Sequence, residues 1–232
     1  MMLQVEKLSF SYGEVQVLHG IAMEIPQERI VCVMGRNGVG KTTLMKNITG
    51  LLRPSSGAIR MQGREITKMP THDRIRAGLA FVPQGRMIFP KLTVEENLRI
   101  GLSARSDGLD RVPGEIYELF PVLKDMTGRM GGDLSGGQQQ QLAIGRALVT
   151  GPKLLILDEP TEGIQPNIIQ QIGRVLRQLV EEKHMTVLIV EQYLDFVREY
   201  CHGFYIMNRG RIVAGGRTEG LGQDIVRQYL TV

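Results

Sequence analysis

Residues 35–42, GRNGVGKT, constrain the fold more than any other stretch, because they have the G-x-x-x-x-G-K-[ST] spacing of a phosphate-binding loop. The apolar run RIVCVM at 29–34 leads directly into the loop and is typical of a buried strand. The residues that follow, 41–52, have the composition of a helix. A buried strand, a glycine loop and a helix in this order predict an α/β fold with a parallel-sheet core.

The residue types of the loop suit phosphate chemistry. Glycines let backbone N–H groups wrap around phosphates, the Lys41 ammonium can reach the outer phosphates, and the Thr42 hydroxyl can bind Mg²⁺. A structural turn without a ligand is the alternative. The candidate nucleotide-binding residues are Gly35, Arg36, Asn37, Gly38, Val39, Gly40, Lys41, Thr42 and Thr43.

Two acidic residues, Asp158 and Glu159, end the apolar segment LLILDEP. Ligands of open parallel sheets lie at the carboxyl ends of the strands. Asp158 is therefore a candidate Mg²⁺ ligand, and Glu159 is a candidate general base that polarises an attacking water. Taken alone, such a pair could be an acidic strand end at a surface turn, but the phosphate loop upstream favours the site.

A second glycine pair occurs at 134–140, LSGGQQQ, where the composition predicts the start of a helix. Unobstructed backbone N–H groups at the positive end of a helix dipole also suit phosphate. Ser135 has the residue type of a helix N-cap, and that role is compatible with phosphate binding. Because the loop at 35–42 already encloses the phosphates of one nucleotide, the second motif needs a separate explanation.

The remaining pattern predicts a single domain, 1–232, with a helical subdomain inserted at roughly 90–150. Within the insert, Thr93 and Glu96 match a capping box, and 113–123 predicts one short helix. Outside it, the pattern predicts antiparallel strands before residue 27, buried strands in KLLILDEP and TVLIVEQ, an amphipathic helix at 166–182 and a hairpin at 208–210.

Composition argues against several other classes. No apolar run approaches the roughly 20 residues of a membrane helix, and the N-terminus lacks the pattern of a secretory signal, so we expect a cytoplasmic location. The net charge of +4 without a basic run, together with 5% aromatic residues, argues against nucleic-acid binding. Cys32, Cys201 and the isolated histidines lack the spacing of a metal site.

The order of four motifs resembles the ATP-binding subunit of an ABC transporter. These are the Walker A loop at 35–42, Gln84 in FVPQGR, LSGGQ at 134–138 and LDEP at 157–160. The resemblance implies a P-loop NTPase cassette with a parallel-sheet core, an N-terminal antiparallel β subdomain and a helical insert, and it implies ATP and Mg²⁺ as cofactors. It also implies that Tyr12 stacks on adenine, and that Gln84 contacts both Mg²⁺ and the attacking water.

The same resemblance gives the second glycine motif a role. It implies that two cassettes pack head to tail, so that the motif contacts the γ-phosphate of ATP bound to the opposite subunit. The residues concerned are Ser135, Gly136, Gly137 and Gln138. It further implies integral membrane permease subunits as partners, and a peripheral location on the cytoplasmic face of the inner membrane.

Two positions depart from the common family pattern. Gln192, in LIVEQYL, replaces the usual histidine that contacts the γ-phosphate; its amide can still donate a hydrogen bond but carries no charge. Gln165, in EGIQP, replaces an aspartate that would cap the next helix. Both departures resemble the importers for branched-chain amino acids and for urea or short amides, most closely the urea type. Those importers use two different ATPase subunits, so a heterodimer is expected, with a homodimer possible in isolation.

Two rival functions stay open at this point. A soluble ABC ATPase of DNA repair or translation usually carries two cassettes or long coiled-coil insertions, and 232 residues show neither. A nucleotide-binding regulator that does not hydrolyse ATP is disfavoured by the intact Lys41, Asp158 and Glu159.

Overall fold

An antiparallel sheet forms from the N-terminal strands and from two strands that follow the phosphate loop. The structure is a computed structural model that describes residues 1–105 and 107–229; residue 106 and the last three residues of the predicted 1–232 domain lie outside the described residues. The sequence predicts the first two strands but not the later two. The strands are β1 (Leu3–Tyr12), β2 (Val15–Ile25), β4 (Ser56–Met61) and β5 (Arg64–Glu65), in the order β2-β1-β4-β5.

The second sheet is the predicted parallel core, with one antiparallel strand at its edge. Its strands are β3 (Ile30–Met34), β6 (Leu79–Val82), β7 (Leu154–Asp158), β8 (Thr186–Val190), β9 (Gly203–Asn208) and β10 (Arg211–Arg217), in the order β10-β9-β3-β8-β7-β6. Among the described strand pairs of this second sheet, only the pairing of β10 with β9 is antiparallel. The β9–β10 hairpin turns at the predicted position.

Both faces of the parallel sheet are buried, which explains why its strands are continuously apolar. Successive residues of a strand point to opposite faces. Val31 and Val33 of β3 belong to a core cluster shared with the antiparallel sheet, whereas Ile30 and Cys32 belong to a second cluster. The first cluster also includes apolar residues of the helix after the phosphate loop. The second cluster includes apolar residues of the insert and of the amphipathic helix predicted at 166–182.

The sequence predicts the positions of α1, α3, α6 and α7, but it does not predict α2, α8 or α9, and it predicts one helix where α4 and α5 form. They are α1 (Lys41–Thr49), α2 (Thr71–Arg76), α3 (Val94–Ile100), α4 (Gly114–Leu119), α5 (Pro121–Asp125), α6 (Gly136–Val149), α7 (Pro166–Glu181), α8 (Leu194–Tyr200) and α9 (Gln223–Tyr229). Helices α3 to α6 lie within the stretch 90–150; the bounds of a separate subdomain there stay a prediction. Thr93 and Glu96 form both bonds of the predicted capping box.

The prediction of one short helix over 113–123 is wrong, because the chain forms α4 and α5 instead. The break lies at Phe120, whose φ of −131° and ψ of 75° are not helical. Proline disfavours the helical conformation of the residue before it, and Pro121 follows directly. Phe120 is fully buried at this bend, so the corner is anchored by packing.

A buried arginine fixes the end of α1, the helix that begins in the phosphate loop. The Arg74 guanidinium, 1% exposed, donates to the carbonyls of Asn47 and Ile48 at 2.8 and 2.6 Å. It also donates to the carbonyls of Met69 and Thr67 at 2.8 and 3.0 Å. Burial lowers the pKa of Arg74 to about 10, so it stays charged at neutral pH. A cation here satisfies the carbonyls that a helix C-terminus leaves unpaired.

Candidate active site

The backbone of the phosphate loop adopts a conformation that favours glycine. Gly35, Gly38 and Gly40 have φ values of 147°, 78° and 106°. A Cβ on Gly35 would lie 2.3 Å from the carbonyl oxygen of Met207, a distance that no side chain could accept. Helix α1 starts at Lys41 without a side-chain cap. The loop therefore presents backbone and little else to a ligand, as phosphate binding requires.

Lys41 connects the loop to the acidic strand end. Its side chain is 5% exposed, and the ammonium Nζ donates to the carbonyls of Gly35 and Arg36 at 2.7 and 3.0 Å. The same nitrogen lies 3.5 Å from Oε1 of Glu159. The ammonium is thus already held over the loop, and phosphate oxygens can replace the two carbonyls as its partners.

Asp158, the last residue of β7, provides oxygens that suit a metal ion. It is 2% exposed, and neither carboxylate oxygen has a hydrogen-bond partner. Burial raises the pKa of Asp158; the nearby Thr42 hydroxyl opposes this effect, although it does not reach hydrogen-bonding geometry. Two orphaned carboxylate oxygens beside a hydroxyl are the hard donors that Mg²⁺ prefers, so these residues fit the ion.

Glu159 receives hydrogen bonds from both glutamines that the sequence predicts for the site. Its Oε2 accepts from Gln84 Nε2 at 3.0 Å, and its Oε1 accepts from Gln192 Nε2 at 2.7 Å. Its backbone has the left-handed φ of 50°, and its N–H donates to the carbonyl of Val190 at 2.9 Å. The three predicted catalytic residues therefore meet around one carboxylate.

The strand order explains this convergence. Strands β6, β7 and β8 are parallel neighbours, and β3 lies beside β8. Their carboxyl ends share one edge of the sheet, where ligands of such folds bind. Gln84 follows β6, Asp158 ends β7, Gln192 follows β8, and the phosphate loop follows β3.

Two further residues extend the network through contacts that the sequence does not predict. Glu162 Oε2 accepts from Gln84 Nε2 at 2.9 Å, and Asn37 Oδ1 accepts from Gln192 Nε2 at 2.6 Å. Glu162 carries no sequence signal for this role. The sequence predicts Asn37 as a residue of the phosphate loop, but not that its side chain bonds to the segment after β8.

The remaining predicted residues lie on other parts of the surface. Tyr12 ends β1, is 48% exposed and packs edge-on against Phe10 at 4.8 Å between ring centroids. Ser135 caps α6, because its hydroxyl accepts from the Gln138 N–H at 3.4 Å while the Gln138 side chain accepts from the Ser135 N–H at 2.9 Å. Thus the predicted N-cap is confirmed.

A cavity of about 400 Å³, which we call the signature cavity, is lined on one side by Ser135, Gly136, Gly137 and Gln138 of the LSGGQ motif. Its other wall comes from Gly163 and Gln165, which precede α7, and from Ile168 in the first turn of that helix. Its described lining contains no residue of the phosphate loop. As the sequence predicts, Gln165 makes no capping hydrogen bond to α7, and Pro166 starts that helix.

Comparisons with known proteins agree with this geometry. Residues 18–162 match the family model of the ABC transporter. The chain is 42% identical to the high-affinity branched-chain amino acid transport ATP-binding protein BraG of Pseudomonas aeruginosa, with 91% of each chain covered. It is 36% identical to the probable branched-chain amino acid transport ATP-binding protein LivF of Archaeoglobus fulgidus, covering 95% of this chain and 94% of that protein. A solved nucleotide-free ATP-binding cassette from an ABC transporter has a TM-score of 0.84 at 29% identity, over 99% of this chain and 94% of that one.

We predict that Asp158→Asn abolishes the stabilisation that Mg²⁺ adds to bound ATP. Asparagine keeps the shape of the side chain but removes the charge that holds the cation. In the wild type, saturating ATP with Mg²⁺ should raise Tm by about 5–10 °C more than ATP with EDTA, as expected for about 2–3 kcal/mol of added binding energy. Thermal unfolding measures both values. Asp125→Asn, at an exposed position in α5, is the matched control and should keep the full difference. If Asp158→Asn keeps the full Tm difference between ATP with Mg²⁺ and ATP with EDTA, the assignment of Asp158 as a Mg²⁺ ligand is contradicted.

Proposed function

The chain belongs to the ABC transporter family as an ATPase subunit that binds ATP and Mg²⁺, and we propose that it powers an importer for urea or short amides. The observation that carries the ATPase assignment is the Glu159 carboxylate, held by Lys41, Gln84 and Gln192 beside the unpartnered oxygens of Asp158. A base, a phosphate-binding cation and a metal ligand at one sheet edge are the parts that phosphoryl transfer to water needs.

In the proposed mechanism, the phosphate loop holds the triphosphate and Lys41 exchanges its loop carbonyls for phosphate oxygens. Asp158, Thr42 and Gln84 would hold Mg²⁺, which neutralises charge on the phosphates. Glu159 accepts the proton of the attacking water, so that the oxygen can attack the γ-phosphorus and ADP leaves. The amides of Gln84 and Gln192 keep the Glu159 carboxylate oriented before the water arrives.

Gln192 takes the place of the family's histidine. Its amide donates to Glu159, which follows β7, and to Asn37 of the phosphate loop. We propose that it donates to the γ-phosphate when ATP is bound, without adding positive charge, so that hydrolysis persists at an altered rate. Tyr12 is proposed to stack on adenine, a role that its 48% exposure permits.

We propose that the ATP site is completed by a second cassette. The signature cavity is lined by Ser135, Gly136 and Gly137, and no phosphate-loop residue is part of its described lining. This separation supports a role of the LSGGQ motif toward nucleotide bound by the opposite subunit. The resemblance to importers with two different ATPase subunits favours a heterodimer in the assembled transporter. A homodimer is then a form of the isolated chain.

We propose that permease subunits dock at an apolar groove on the surface of this chain. The groove has a volume of about 430 Å³ and lies between α2, α6 and the segment after Gln84. Met87 and Ile100 line it and are 65% and 38% exposed. Apolar patches of this kind mark protein interfaces. Among the described residues, no helix is long and apolar enough to span a bilayer. We propose attachment through the permeases, on the cytoplasmic face of the membrane.

Urea is proposed as the cargo, and branched-chain amino acids are the alternative. The segments GRNGVGKTT, VPQGRMIFPKLTVEENL and DEPTEGIQP support urea by their resemblance to urea-type subunits. The names of the BraG and LivF relatives support the alternative. Reconstitution of the full importer in liposomes should give ATP hydrolysis that rises with external urea, through the binding protein and permeases. Stimulation by leucine and not by urea would contradict the urea assignment and favour the alternative.

We predict that Glu159→Gln forms a dimer with ATP and Mg²⁺ and stays monomeric with ADP. The amide cannot take a proton from water, so ATP persists at the interface and holds the two cassettes together. Gel filtration coupled to light scattering measures the mass. Gly137→Trp in the same Glu159→Gln chain is the control, because Ile168 atoms would lie 3.1 Å from a Cβ at this position and the larger side chain obstructs the glycine motif.

A monomer in both nucleotides would contradict the homodimer. It would point to a different ATPase as the second half of each site. A dimer that survives Gly137→Trp would contradict the role of the LSGGQ motif in the interface.

A further inference from the structure

Glu191, directly before Gln192 of the candidate active site, has a buried carboxylate. It follows β8 and is 3% exposed. Its two oxygens contact different segments of the chain. Oε1 accepts from the Thr161 N–H at 3.0 Å and from the Thr161 hydroxyl at 2.6 Å. Oε2 accepts from the backbone N–H groups of Gln192 and Tyr193 at 2.9 and 3.3 Å.

These four hydrogen bonds compensate for the burial of a charged group. Burial raises the pKa of Glu191, and the bonds from Thr161, Gln192 and Tyr193 oppose that effect. Hydrogen bonds to a carboxylate are shorter and stronger than those between neutral groups. An apolar residue here would leave the N–H groups of Thr161, Gln192 and Tyr193 without this acceptor, so the carboxylate joins two segments that packing alone would not hold together.

The two segments that Glu191 joins both carry residues of the site. Thr161 lies two residues after Glu159, and Gln192 is the next residue after Glu191. The Gln192 amide donates to Glu159 at 2.7 Å and closes a ring of contacts through both segments. We propose that Glu191 is a positioning residue that locks the segment after Glu159 to the segment carrying Gln192, so that base and amide keep their alignment. This inference rests on the proposed ATPase function.

The ring also reaches the signature cavity. Gly163 and Gln165, which line that cavity, follow Thr161 by two and four residues. A partner cassette that contacts this wall would touch the segment that Glu191 holds against the residues after β8.

Thr161→Val tests the coupling, because valine keeps the shape and removes only the hydroxyl donor. Thr67→Val is the matched control. Both threonines are 8% exposed, and the Thr67 hydroxyl bonds backbone groups of Ile59 in the antiparallel sheet, away from the site. We expect similar losses of Tm for the two variants. Only Thr161→Val should lower kcat, by about 5-fold, with KM for ATP within about 2-fold, because alignment matters in the transition state and not in binding.

Two further variants separate positioning from general damage. Thr161→Ser keeps the hydroxyl and should keep kcat within about 2-fold of the wild type. In a Gln192→Ala background, Thr161→Val should change kcat by less than about 2-fold, because the amide that it aligns is gone. If the valine variant does not fold, Thr161→Ala against Thr161→Ser makes the same comparison.

The outcomes distinguish this inference from the proposed function. A wild-type chain that does not hydrolyse ATP would overturn the ATPase function and the inference with it. A hydrolysing wild type in which Thr161→Val behaves like Thr67→Val would overturn the inference alone. So would an effect of Thr161→Val that is equally large with and without Gln192.

Discussion

The contact between Glu159 and its three partners is the interaction on which the site depends. Lys41, Gln84 and Gln192 come from three segments far apart in sequence, and each reaches the same carboxylate within 2.7–3.5 Å. The convergence follows from the strand order, which places the carboxyl ends of β3, β6, β7 and β8 side by side. A displacement of any one of these strands would separate the base from a group that orients it.

The site is organised before a ligand binds, yet its charges are not fully compensated. Lys41 and Asp158 are 5% and 2% exposed, so the protein holds ionisable groups where water cannot solvate them well. Lys41 has carbonyls and Glu159 as partners, whereas the Asp158 oxygens have none. Binding of Mg²⁺ and ATP would supply the missing partners. Burial of Lys41 and Asp158 therefore lowers the stability of the free chain, and the same burial favours the binding of a ligand that supplies the missing partners.

The sequence predicts the local parts of this structure better than their connections. Apolar runs predict the buried strands, and the cap at Ser135 follows from short-range spacing, because these features depend on neighbouring residues. The pairing of β4 with β1 depends on where the chain returns after α1, which no local pattern shows. The sequence does not predict the role of Glu191 either. A carboxylate directly after the four apolar residues 187–190 is a signal of burial, but its partner Thr161 is 30 residues away.

The central claim is that Glu159 is the base of ATP hydrolysis, and single-turnover phosphate release tests it most directly. Glu162→Gln is the matched control, because Glu162 also accepts a hydrogen bond from Gln84 but lies outside the proposed chemistry. The account predicts that Glu159→Gln slows the hydrolytic step by about 100-fold or more, with ATP affinity within a few fold, while Glu162→Gln stays within about 5-fold of the wild type. A Glu159→Gln chain that hydrolyses bound ATP at the wild-type rate would contradict it.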